Sequence, residues 1–311
     1  MSGHIVSKTI KTGIRYIKDK NFRFVENDRY GIHKLSDEEY IRRLFEMKMG
    51  YPLDLDNPRT INEKLQWLKL YDRRPEYTVM VDKVAAKDYV AGVIGKEYII
   101  PTLGVWDDPD DINFDSLPNQ FVLKCNHNSG LGMCICKDKS KLMLDIKKIK
   151  ADLRKGLKQD YYMSCREWPY RDVPRKIIAE QLLMDSQHPT SSINDYKVYT
   201  FNGKAKILGV YIDRFVDTKA NYYSSDFAYL DFTWGYPHFD RGRGMCTSNF
   251  NLMLQLAEKL SKDIPQLRCD FYDVDGQVYF GELTFFDGGG FDIISPVEWD
   301  IRMGDWIELP R

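Results

Sequence analysis

Residues 268–284 read Arg268-Cys-Asp-Phe-Tyr-Asp-Val-Asp-Gly-Gln-Val-Tyr-Phe-Gly-Glu-Leu-Thr284. Strands expected over 267–274 and 278–285 flank Asp275-Gly276, a pair that tolerates positive φ and marks a β-hairpin. Side chains alternate along a strand, so Arg268 and Asp270 share one face, and Glu282 and Thr284 share one face of the partner. Register decides whether the two faces coincide. A two-residue turn at Asp275-Gly276 pairs Asp270 with Gly281 and sends Glu282 to the other side. A three-residue reversal centred on Gly276 sets Asp270 opposite Glu282. Directly opposed carboxylates repel, so that arrangement implies a cation between them. Oxygen ligands of this kind suit Mg²⁺, which takes one or two carboxylates and completes its shell with phosphate and water. The plainer reading leaves Glu282 in solvent.

Upstream, Phe121-Val-Leu-Lys-Cys-Asn-His-Asn-Ser-Gly-Leu-Gly-Met133 opens as a buried strand, delivers Lys124, and passes into a small-residue loop before returning over 133–136. Such a loop can turn backbone N–H groups toward phosphate oxygens while the lysine supplies charge. The lysine precedes the glycines, so this is not a P-loop. A solvated strand-end lysine is the competing reading. Asp82-Lys-Val-Ala-Ala-Lys87 puts Lys83 and Lys87 one turn apart on a helix expected over 82–94. Ile177-Ile-Ala-Glu-Gln-Leu-Leu183 is an apolar strand with Glu180-Gln181 inside it. Strands of this type sandwich an adenine and read its edge through the backbone.

Capping boxes at Ser36…Glu39 and Thr60…Glu63 open two helices, the first ending at Gly50. A short strand is expected over 98–100, helix over 137–158, and a helix over 249–263 capped by Ser248. Asn202-Gly203 joins strands 195–201 and 204–212. The pattern is α+β, with mixed and antiparallel sheets in several lobes around a cleft.

Of 311 residues the net charge is −1, which gives no footprint for nucleic acid. No run spans a bilayer and no signal-peptide pattern is present. The six cysteines are scattered, as expected of reduced cytosolic thiols, and Cys134 and Cys136 lack a second close pair for zinc. Lys8, Lys11, Arg15, Lys18, Lys20 and Arg23, with Ile10, Ile14 and Ile17 at helical spacing, read as a solvated terminal helix or as one that contacts an anionic membrane surface peripherally.

Taken in order, these segments resemble the TupA-like ATP-grasp family of bacterial surface-polysaccharide gene clusters. The likeness rests on Thr60-Ile-Asn-Glu-Lys-Leu-Gln-Trp-Leu-Lys-Leu-Tyr71, Asp82-Lys83, Phe121 to Gly130, Asp195-Tyr-Lys-Val-Tyr-Thr-Phe-Asn-Gly203 and Phe280-Gly-Glu-Leu-Thr284, and covers about residues 30 to 308. It implies an ATP-grasp fold with two or three lobes around a nucleotide cleft, preceded by N-terminal helices. The expected divisions are an extension 1–58, a first lobe 59–117, a small lobe 118–184 and a C-terminal lobe 185–311. It implies ATP and Mg²⁺ as cofactors. Lys87 and Lys124 would meet the phosphates, and the loop with His127, Asn128, Ser129 and Gly130 would close over them. Glu180, Gln181 and Leu183 would belong to the adenine hinge. Asp270 and Glu282 would hold metal. Arg268 would face the transferring phosphoryl group, with Lys197 as a further catalytic contact. Many ATP-grasp enzymes carry a third ligand, an asparagine, two residues after the glutamate; here Thr284 stands there. His127 either meets phosphate or ties the loop down.

The implied reaction joins the carboxylate of a uronic acid, in a saccharide or its precursor, to an amino acid or amino alcohol through an acyl phosphate. Trp234 to Arg243 and Phe285 to Trp299 are the expected substrate stretches, aromatics interleaved with charges suiting sugar rings and carboxylates. Two other readings stay open: a glycosyltransferase or sugar kinase of the same pathway, and a non-catalytic saccharide-binding protein. The expected location is cytoplasmic, with the inner membrane face as a possible docking place.

Overall fold

A computed structural model describes residues 15–29, 35–142, 145–186, 193–213, 216–240 and 247–310. Lys8, Ile10, Lys11, Ile14, Arg241 to Arg243 and Cys246 lie outside the described residues.

Two antiparallel sheets carry the molecule. Strands Thr102–Trp106 (β1), Phe121–Cys125 (β2), Met133–Cys136 (β3) and Ile177–Gln181 (β4) form a four-stranded sheet in the order β1-β4-β2-β3. Asp195–Phe201 (β5), Lys204–Ile212 (β6), Lys219–Ser224 (β7), Tyr229–Leu230 (β8), Gln266–Val274 (β10) and Gln277–Thr284 (β11) form a six-stranded sheet, β11-β10-β5-β6-β7-β8. Thr233–Trp234 (β9) and Ile294–Ser295 (β12) pair separately. Among the described residues every strand pair is antiparallel, and the parallel component of the expected mixed pattern is reduced to a single bridge, Ile99 to Phe280.

Local sequence explains most element ends. Ser36 and Thr60 accept from the N–H groups of Glu39 and Glu63, whose carboxylates return the bond, and Gly50 ends its helix at φ 81°. Asn202-Gly203 and Asp275-Gly276 take positive φ at both positions, the signature of a two-residue hairpin turn.

Several expectations shift. Residues 96–98 form a 3₁₀ turn, and the strand begins after Pro101, because proline lacks the N–H a ladder needs. The helix expected from Asp82 begins at Ala85, since the Asp82 carboxylate accepts from the Val84 N–H and holds a turn there. Lys83 therefore precedes the helix rather than riding on it with Lys87. Residues 76–81 form a further helix. The 250–260 helix starts at Asn249, with no side-chain cap from Ser248.

One core joins the six-stranded sheet to the helices over 61–94 and 250–260, with Ile61, Leu65, Val90, Phe250 and Phe271 fully buried. A second lies under the four-stranded sheet, where Ile149 and Leu153 of helix 146–157 meet Phe121, Leu123 and Ile177. A third packs Phe24, Tyr40 and Phe45 of the N-terminal helices, with Leu53 from the segment that follows them, against Phe291. Cleft chemistry is thus framed by two sheets and the helices that lead into them.

Candidate active site between the two sheets

The hairpin brings its charges together by a different route from the one the turn chemistry suggests. Val274 pairs with Gln277, so the reversal is the two-residue one. Regular pairing runs to Phe271 opposite Phe280, and then Gly281 bulges out, so that Asp270 sits opposite Glu282 and Arg268 opposite Thr284. The three-residue reversal is therefore corrected to a tight turn plus a bulge, which flips the side chains beyond it by one place. Glycine suits the bulge: a Cβ at Gly281 would lie 3.1 Å from the Tyr272 ring and 3.2 Å from the Asp270 carbonyl oxygen.

On the next strand Lys197 stands opposite Asp270. The row Lys197–Asp270–Glu282 crosses three strands on one face. The cation implied by opposed carboxylates is present as protein side chains. Arg268 Nε donates to Asp270 Oδ1 at 2.7 Å and Nη2 to Oδ2 at 2.8 Å, while Nη2 reaches Glu282 Oε1 at 3.2 Å. Lys197 donates to Asp270 and lies 2.8 Å from Asp195. Asp287, in the loop after β11, accepts from Arg268 Nη1 and, at 2.8 Å, from the Tyr199 hydroxyl. Lys83 comes from the other side of the cleft, 3.8 Å from Glu282, and donates to the Asn128 carbonyl at 2.8 Å.

Electrostatics follow. Burial pushes the Glu282 carboxyl up, but Lys83, Arg268, Lys197 and Lys124 together outweigh it and hold it at about 2. Burial lowers the Lys83 pKa, with Glu282 pulling it back. Burial and Arg268 work against the charged form of Lys197, and Asp195, Asp270 and Glu282 overcome them and raise it.

Glu180 is the second hub. Its carboxylate sits 2.7 Å from Lys87 Nζ and 2.5 Å from Lys124 Nζ. Burial opposes its charge, and the two lysines outweigh burial and lower its pKa. The two lysines expected to meet phosphate are thus brought together, but by a carboxylate on β4. Glu180 points into the cleft toward the two lysines. Gln181 is exposed and Leu183 half-buried. Lys124 shares its sheet face with Val105, Val122, Met133, Ile135 and Ile178, by register, and Val105, Met133 and Ile135 of these are exposed. An apolar half-open surface beside paired lysines suits a flat base and its phosphates. A half-open hollow lined by Glu180, Lys83, Lys87, Gly281 and Glu282 links the two hubs.

The loop divides. Ser129 and Gly130 are exposed. His127 and Asn128 face inward: the His127 ring lies 3.1 Å from the Gln159 carbonyl, and Asn128 Nδ2 donates to Gly156 O at 3.2 Å and Gln159 Oε1 at 3.0 Å. Burial lowers the His127 pKa. Of the two roles expected for His127, the geometry matches the tie that holds the loop. Thr284 is half-buried on the Arg268 face.

Lys83, Asp195, Asp287 and Glu180's pairing role were missed from sequence. Lys83 carried a signal in Asp82-Lys83, obscured by reading both lysines onto one helix. Asp287 lay inside an expected substrate stretch. Among the described residues no cluster of three or more His, Cys, Asp or Glu could hold a metal, and burial raises the Cys134 and Cys136 thiols. No helix among the described residues is long and apolar enough to cross a membrane.

Comparison with known proteins bears on this arrangement. A search of curated proteins found no match. Solved structures similar to this chain include a D-alanine–D-alanine ligase from Bacillus anthracis complexed with ATP, at 14% identity and TM-score 0.36 over 67% of this chain and 54% of that one. A D-alanine–D-alanine ligase from Helicobacter pylori shares 14% identity at TM-score 0.40, covering 81% of this chain and 70% of that one. The ATP-grasp ligase PsnB, complexed with a phosphomimetic variant of its minimal precursor, Mg and ADP, shares 11% identity at TM-score 0.37, over 72% and 57%. The chain spans little more than half the length of the first and third of these. The description of one family, TupA-like ATPgrasp, matches residues 63–308, which includes both sheets, both carboxylate hubs and the lysines that meet them: the chain belongs to the TupA-like ATPgrasp family.

Proposed function

We propose that this protein is an ATP- and Mg²⁺-dependent ligase that joins a carboxylate to an amine through an acyl phosphate. The carboxylate is that of a uronic acid in a surface polysaccharide or its precursor, and the amine belongs to an amino acid or amino alcohol. The reaction is placed on the cytoplasmic side, where ATP is supplied. The observation that carries this reading is the row Lys197–Asp270–Glu282 with Arg268, faced across the cleft by Lys83 and by the Lys87–Glu180–Lys124 hub.

The residues fit both cofactors. Asp270 and Glu282, opposed and hard-oxygen in character, would hold Mg²⁺, with the Thr284 hydroxyl beside them; the ion supplies charge neutralisation at phosphate oxygens. Lys83, Lys87 and Lys124 would take the phosphates of ATP, and the apolar face around Val122 and Ile178 its base.

A carboxylate oxygen of the substrate attacks the γ-phosphorus, the bond to the bridging oxygen breaks, and ADP leaves. The amine lone pair then attacks the acyl carbon, and phosphate departs with the C–O bonding electrons. The protein's work is positioning and charge neutralisation. Arg268, fixed between Asp270 and Asp287, presents its guanidinium to the transferring group and the oxyanion; removing one such contact costs about 2.7–4 kcal/mol.

The test is incubation with ATP, Mg²⁺, a glucuronate-bearing saccharide and a panel of amines. ADP, phosphate and a new amide are expected, with Asp270→Asn and Glu282→Gln inactive but folded, and Lys83→Met and Lys124→Ala weakened in ATP binding. A stable phosphosugar would replace this reading with a kinase. Nucleotide release from a sugar nucleotide without ATP turnover would replace it with a transferase.

A further inference from the structure

Glu167 stands apart from the machinery described above. It is 6% exposed. Among the described residues its carboxylate has no hydrogen-bond or ion-pair partner, and its oxygens are absent from the sealed, unpartnered polar atoms that include Gln266 Oε1 and Asn62 Oδ1. Leaving a buried carboxylate unpaired is costly, so this one calls for an account.

Its placement is fixed from both sides. Two residues earlier, the Cys165 carbonyl accepts from Lys69 Nζ at 2.9 Å, and Cys165 packs so closely on Gly289 that a Cβ there would lie 2.8 Å from its sulfur. One residue later, Trp168 stacks on Tyr77 at 5.9 Å, and Tyr77 on Phe285 at 4.0 Å. Both anchors hold Glu167 against the 285–290 loop, which follows Thr284 and carries Asp287, the partner of Arg268. The buried Lys69, whose charge acts on it, does not satisfy it: Lys69 spends its three protons on Gln66 Oε1 at 2.8 Å, Cys165 O at 2.9 Å and Gly289 O at 2.8 Å.

We propose that Glu167 is the site that receives the ammonium group of the amine substrate and accepts its proton, so that the class of amine taken is one presented as a primary ammonium. This rests on the ligase reading. One proton passes from the ammonium nitrogen to a Glu167 oxygen, the freed lone pair forms the C–N bond as phosphate leaves with the C–O bonding electrons, and the second proton on that nitrogen goes to the departing phosphate. The charged and titratable groups around Glu167 are Lys69 from helix 61–71, Arg268 from β10, Glu282 from β11, Asp287 from the loop, and Tyr161, Cys165 and Tyr170 on its own segment. Burial raises the Glu167 carboxyl to about 7, Lys69 and Arg268 pulling it down and Asp287 and Glu282 pushing it up. A base near the working pH is matched to this transfer.

Calorimetry with the full chain tests this directly. ADP with Mg²⁺ is titrated first, and then ethanolamine hydrochloride or its neutral isostere ethylene glycol is added to the ADP-bound protein. Ethanolamine is expected to bind at least tenfold tighter than ethylene glycol. In Glu167→Gln, a swap that keeps shape and fold, that preference is expected to vanish while ADP affinity is unchanged; Glu167→Asp should restore part of it. ADP binding without a preference for ethanolamine, or a preference that survives in Glu167→Gln, overturns the assignment of Glu167 alone. Failure of ADP to bind overturns the ligase reading and this inference with it.

Discussion

Replacing Glu282 by glutamine probes how strongly the opposed cations hold this carboxylate. In the folded chain its pKa falls from the ordinary 4.5 to about 2. At about 1.4 kcal/mol per pH unit, that gap would be worth about 3.5 kcal/mol if fully expressed. The side chain keeps 38% exposure, so solvent screening cuts the expected contribution to about 1–1.5 kcal/mol. The folded pKa is depressed, so the stability is present above the unfolded value and is lost as pH falls below it. A contribution of that size corresponds to an effective shift of about one pH unit, so about half of it should remain at pH 4 and about a tenth at pH 3. Urea unfolding of wild type and Glu282→Gln at pH 7, 5, 4 and 3 reads this directly. The variant should be weaker by about 1–1.5 kcal/mol at neutral pH, with the gap closing on acidification. Equal midpoints at pH 7, or a gap that widens as pH falls, would refute the placement of Lys83 and Arg268 around this carboxylate.

Glu180→Gln strips the shared partner from Lys87 and Lys124 and should cost about 3 kcal/mol in chemical denaturation; a double-mutant cycle with Lys87→Met should show clear coupling, and strict additivity would count against the bridge. Gly290→Ala sets a Cβ at φ 71° and 2.4 Å from Gln66 Nε2, and should lower stability by about 1–3 kcal/mol by calorimetry. Thr60→Ala removes a reciprocal cap and should cost about 1 kcal/mol, recovered in part by Thr60→Ser. Glu167→Gln, by relieving an unpaired buried carboxylate, should raise the melting temperature at pH 8, where wild-type Glu167 is charged; a lower melting temperature would mean that the carboxylate has a partner in solution.

What the sequence determined by itself is what neighbouring residues can decide. Ser36 and Thr60 meet Glu39 and Glu63 three places on, and both boxes form. Asn-Gly and Asp-Gly accept positive φ and reverse the chain where they stand. Alternation along a strand put Arg268 with Asp270, and Glu282 with Thr284, before any pairing was known. Tertiary structure decided the rest. Asp270 meets Glu282 only because Gly281 bulges against Tyr272 and Asp270, a one-residue slip that no turn dipeptide encodes. Lys83 reaches Glu282, and Lys87 and Lys124 share Glu180, through packing of helices and sheets far apart in the chain. Glu167 reads in sequence as an ordinary surface acid, since burial is a property of the surrounding elements and not of the residue. Electrostatic partnership depends on distance through space, and one-dimensional pattern carries that information only where the backbone's own periodicity sets the distance.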